Sequence, residues 1–79
     1  MNGTELRIQQ PGSPFAQRLF VGYLPGVSDP VIAFLTDAGP RILGVMVDED
    51  AGNALLEAIV QLEDAAISVH DVQGGESDL

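Results

Sequence analysis

The sequence predicts an α+β fold: a small antiparallel sheet of four to five strands with one helix packed on it. Three observations carry this. In the first half, apolar residues come in short strand-length runs separated by Pro and Gly. From Ala51 to about Asp64 the spacing changes to that of an amphipathic helix. After it, Ile67–Val72 returns to a strand-like composition. The expected order is β-β-β-β-α with a short final strand. Residues 1–72 make a single acidic domain and 73–79 a flexible acidic tail.

Each element has its own signal. Thr4–Gln9 alternates, with Leu6 and Ile8 facing one way and Glu5, Arg7 and Gln9 the other. Pro11, Gly12, Ser13 and Pro14 break that strand. Arg18–Leu24 is β-branched and aromatic and makes the second strand. Pro25-Gly26 fits the central pair of a type II turn, since Pro presets φ and Gly accepts a positive one. Val31–Thr36 and Arg41–Asp48 are the third and fourth strands, joined by Asp37-Ala38-Gly39-Pro40. Pro40 belongs at the start of the returning strand, where a missing N–H does least harm.

The helix is introduced by acids. Asp48 or Asp50 can cap it, and Asp48, Glu49 and Asp50 all suit the positive end of its dipole. At 100° per residue Leu55, Leu56, Ile59, Leu62 and Ala66 share an inward arc, and Glu57, Gln61 and Asp64 an outward one. The helix is expected to cross over between the fourth and fifth strands. On the last strand, Ile67, Val69 and Asp71 share one face; Ser68, His70 and Val72 share the other.

The central strands are apolar on both faces. Leu19, Val21 and Tyr23 oppose Phe20 and Leu24; Val31, Ala33 and Leu35 oppose Ile32 and Phe34; Ile42 and Met46 oppose Leu43, Val45 and Val47. Such strands imply a sheet covered on both sides. One helix covers one side. The other needs a curled N-terminal strand, a twin subunit or another partner, so a homodimer is one expectation.

Charge separates along the chain. Its 79 residues hold three Lys or Arg, 12 Asp or Glu, and a net charge of −9. The cations are Arg7, Arg18 and Arg41, balanced over residues 1–41 by Glu5, Asp29 and Asp37. The other nine acids follow with no Lys or Arg among them. Unrelieved acid repels itself and repels nucleic-acid backbones and anionic membranes. It fixes a basic protein surface as the partner expected, with no direct nucleic acid and no membrane. Expected contact residues are Asp48, Glu49, Asp50, Glu57, Gln61 and Asp64; the competing reading is a solvated face that keeps a small protein in solution.

Little points to chemistry. Asp48-Glu49-Asp50 lacks the alternating oxygens and late Glu of a calcium loop, and capping explains it better. There is no cysteine and one histidine, which argues against a zinc site. Neighbouring strand residues point to opposite faces, so His70 and Asp71 cannot form a dyad, and no acid orients His70 toward Ser68. No phosphate loop or dinucleotide fingerprint is present. Glu63, near the edge of the apolar arc, either leans into solvent or meets a cation. Gly22 and Gly44 mark bulges or close packing. The expectation is no catalytic residue, no metal and no cofactor.

By size, charge and one-domain α+β build, the chain resembles the small acidic inhibitors that phages carry against host defence systems, anti-CRISPR proteins among them. The likeness carries over no individual residue. It implies a stoichiometric inhibitor that imitates nucleic acid and acts in the host cytoplasm. Two rivals are an antitoxin or regulatory subunit that neutralises a basic partner, and a homo-oligomeric structural or small-ligand-binding module. The polar N-terminus and short apolar runs lead to the expectation of a soluble, cytoplasmic protein.

Overall fold

The computed structural model describes residues 1–62 and 66–73. The chain forms β1 (Asn2–Gln9), β2 (Ala16–Tyr23), β3 (Val31–Thr36), β4 (Gly39–Val45), α1 (Glu49–Val60) and β5 (Ala66–Val72). The strands make one sheet in the order β4-β3-β2-β1-β5, with every neighbouring pair antiparallel. The α+β fold expected from sequence is therefore present, final strand included. The helix does link β4 to β5, but it carries the chain across the whole sheet to pair beside β1. Glu63 and Asp64, and most of the expected acidic tail, lie outside the described residues.

A Pro-Gly turn lies in each of the two loops that join β1 to β2 and β2 to β3. In each, Pro presets φ and the following glycine, Gly12 or Gly26, takes φ 78°. Backbone bonds close both turns, from Ser13 N to Gln10 O at 3.2 Å and from Val27 N to Leu24 O at 3.1 Å. The β3–β4 hairpin is tighter than expected. Thr36 pairs with Gly39, so only Asp37 and Ala38 lie between the strands. The Thr36 hydroxyl secures the turn, donating to Gly39 O and accepting from Ala38 N. Pro40 sits second on β4, an edge strand, in keeping with its missing donor.

Over β1, β2 and β3 the chain itself buries side chains on both faces of the sheet, while β4 stays exposed. On one side Leu6, Leu19 and Val21 are buried beneath α1. Gly52 is the buried residue of the helix: a methyl group in its place would lie 2.8 Å from Val21 Cγ1. Leu55, Leu56 and Ile59 turn inward as expected. Leu62 does not, because the helix ends at Val60 and leaves it beyond the last turn, exposed. Ala66 has left the helix too and opens β5.

On the other face Phe20, Leu24 and Val31 form a core against which Met1, Val27, Leu35 and Val72 pack. The Phe20 ring lies over the facing glycines Gly3 and Gly22, which leave room for it. The cover that the apolar strands require on this side thus includes the N-terminal residue and the β2–β3 loop.

One strand departs from simple alternation. Between Ile32 and Ala33 the β4 register slips, Ile32 facing Gly44 and Ala33 facing Ile42. The extra residue is Leu43. It brings Ile42 and Val45, expected on opposite faces, to the same face of the sheet.

Candidate acidic binding surface

Strand register sorts the charges into two ends. Arg7 faces Arg18 across β1 and β2, and in the next row Leu19 faces Phe34, which faces Arg41. All three cations therefore lie toward one end of the strands. At the other end the row Asn2–Tyr23 meets the β2–β3 loop and the start of α1. The two rows are four residues apart on β2, about 14 Å.

At this second end Tyr23, Asp29, Pro30, Asp48, Glu49 and Asp50 line one groove. Asp48 is the helix N-cap: its backbone is extended and its Oδ1 accepts from Ala51 N at 2.9 Å. Glu49 and Asp50 occupy the first turn, where the helix dipole favours negative charge. The Tyr23 hydroxyl donates to Glu49 Oε1 at 3.0 Å. That bond raises the Tyr23 phenol above its ordinary range, helped by partial desolvation and then by the charges of Glu49, Asp29 and Asp48. Tyr23 thus senses three carboxylates, one from the β2–β3 loop and two from the start of α1.

The expected contact residues divide. Asp48, Glu49 and Asp50 come together in the groove. Glu57 is exposed two turns along the helix, at the rim of a second hollow with Asn53, Val60 and Val69. Gln61 is the helix C-cap and also exposed. Asp64 lies outside the described residues. Asp29 and Tyr23 were not among the expected contacts. Asp29 is 19 residues before Asp48 in sequence, and only the antiparallel pairing of β3 with β4 brings their neighbourhoods together.

Beside the groove a cleft of about 260 Å³ opens between β1, β2 and the first half of α1, with Thr4, Tyr23, Asn53 and Leu56 in its wall. Among the described residues no group of three or more His, Cys, Asp and Glu is arranged to hold a metal ion.

The opposite end has its own carboxylate. Glu5 is buried on β1, 3% exposed, with Arg7 Nε at 2.7 Å from one oxygen and Arg18 Nη2 at 2.7 Å from the other. Arg18 is the main cause that holds Glu5 down to about 2; burial opposes it and Arg7 assists. The alternating pattern assigned Glu5 to a solvent face. It is buried because Phe20 and His70 stand opposite it on the two neighbouring strands and the side chains of Arg7 and Arg18 close on its oxygens.

On β5, Ser68 Oγ and His70 Nε2 are 2.9 Å apart, and Asp71 pairs with Thr4 on the other face. Glu5 is the cross-strand neighbour of His70, yet both its oxygens are engaged by arginine. Among the described residues no helix is long and apolar enough to cross a membrane. No protein-family model matches the chain, nor does any curated protein or solved structure.

Proposed function

We propose that this chain is a non-enzymatic acidic binding protein that presents carboxylates to a basic protein surface. The specific form of the reading is a stoichiometric inhibitor that occupies the nucleic-acid site of a nucleic-acid-binding partner in the cytoplasm. The observation that carries it is the gathering of Asp29, Asp48, Glu49 and Asp50 in one groove, with the arginines at the far end of the strands. A groove of one sign focuses its field and speeds encounter with a partner of the other sign. Glu57 extends the acidic track along the helix, about 10 Å beyond Asp50.

The test is a capture experiment from host lysate with the full chain, at low and high salt, with and without competing DNA or RNA. The reading requires a basic nucleic-acid-binding protein to be retained at low salt and released by nucleic acid. Asp29→Lys with Asp50→Lys should abolish capture while circular dichroism stays unchanged. Equal capture by that variant would remove the groove from consideration.

The cleft beside Tyr23 favours a second reading, a module that binds a small ligand between helix and sheet. Saturable binding of a small molecule that Leu56→Trp blocks, with no protein captured, would select it.

A further inference from the structure

Among the described residues strand β4 is a free edge of the sheet, with Ile42 and Val45 on one face, Arg41 and Gly44 on the other and Leu43 at the bulge. Ile42, Leu43 and Val45 are 50%, 51% and 63% exposed, and Val47, just beyond the strand, 86%. Helix α1 packs over β2 and leaves this strand bare. Exposed edges are usually defended by charge, by Pro or by a bulge. Here Pro40 ends the usable edge on one side and Leu43 adds twist, but Arg41 is its sole charge from Ala38 to Val47.

We propose that β4 pairs with β4 of a second copy of this chain, antiparallel about a two-fold axis, to join two five-stranded sheets into one. Charge along the strand selects this occupant. Each β4 begins at the end that carries Arg41 and runs toward Asp48, Glu49 and Asp50. Antiparallel pairing therefore sets the basic end of one copy against the acidic end of the other, twice. With the axis near Gly44, Arg41 comes opposite the second copy's Val47, two residues past the end of that copy's β4 and next to its Asp48. Among the described residues Arg41 makes no ion pair within its own chain, whereas Arg7 and Arg18 share Glu5. Pairing also removes Ile42, Leu43, Val45 and Val47 from water in both copies. A chain of net charge −9 repels its own kind elsewhere, and this acid-free edge is where that repulsion is least.

The partner-binding reading of the acidic groove does not depend on this pairing. Sedimentation of the full chain from low micromolar to several hundred micromolar decides it. A reversible dimer is expected for the natural sequence, and a monomer for Leu43→Lys with Val45→Lys, both exposed positions, at unchanged circular dichroism. Arg41→Glu should weaken the dimer by roughly tenfold or more, and high salt should weaken the natural one. If the paired lysines unfold the chain, Arg41→Glu alone decides. A natural chain that stays monomeric throughout overturns the proposal. So does a folded double-lysine variant that still dimerises, or an Arg41→Glu dimer as tight as the original.

Discussion

Arg7 and Arg18 stand directly opposite each other on β1 and β2, two like charges in one cross-strand pair. Such a pair is unfavourable alone. Glu5 reverses the sign, two residues from Arg7 on the same face and diagonal to Arg18, with each guanidinium at 2.7 Å. A carboxylate buried in an interior strand is tolerable because both its oxygens are satisfied; no buried side-chain N or O among the described residues lacks a partner.

Glu5 gives stability a defined acid limb. Its pKa falls from 4.5 to about 2 on folding, so its contribution is complete above 4.5 and lost as pH drops toward 2. The full shift corresponds to about 3 kcal/mol, and about 2 is expected because both arginines are half exposed and screened. Urea unfolding at pH 7 and pH 3 should show a larger loss for the natural chain than for Glu5→Gln, the two converging in acid. Parallel pH profiles would sink the assignment.

Most strand faces were legible because burial on one side imposes a period of two; Pro25-Gly26 marked one long-strand turn and Pro11–Pro14 the break at the other. Leu43 was not legible. One inserted residue leaves composition unchanged and reveals itself only when Ala33 is seen to face Ile42. Leu62 fitted the helical period, yet period alone does not say where a helix stops. Asp48–Asp50 could be read as acids at a helix start, but Asp29 could not be joined to them. Their proximity is made by the β3–β4 pairing, a contact with no local signature. Glu5 failed for a related reason: alternation marks a face, and topology decides whether that face meets water.

Tyr23 is the only tyrosine and there is no tryptophan, so its ionisation can be followed by absorbance without interference. Its hydroxyl donates a hydrogen bond to Glu49, and the neighbouring acids penalise a phenolate, so the midpoint should lie above the ordinary 10.0. Glu49→Gln should move it back toward 10.0, and Asp29→Asn should move it less. An ordinary midpoint in the folded natural chain would mean that the carboxylates do not gather there.

Gly52 tests the seat of the helix. In an exposed helix, Gly→Ala gains roughly 1 kcal/mol from propensity alone. Here the added methyl would lie 2.8 Å from Val21 Cγ1, inside normal contact. Gly52→Ala should therefore lose about 1 to 2 kcal/mol in chemical denaturation. Val21→Ala costs stability by itself but makes room, so the double variant should be more stable than the sum of the two losses. Simple additivity would show that helix and strand are not in contact at this point.

Asp48 serves the helix and the acidic surface at once, and two substitutions separate the roles. Asp48→Ala removes the acceptor of the Ala51 N–H and should cost about 1 kcal/mol. Asp48→Asn keeps a cap of similar quality and removes only charge. Its effect depends on what surrounds it: Asp29, Glu49 and Asp50 line the same groove, so lowering the charge relieves repulsion. At low ionic strength Asp48→Asn should be as stable as the natural chain or more so. Added salt should stabilise the natural chain by screening, and Asp48→Asn less, since less repulsion remains. Thermal melts of the three chains across a salt series measure both effects. A salt response in Asp48→Asn as large as the natural chain's would show that Asp48 does not share in the groove's repulsion and acts as a cap alone.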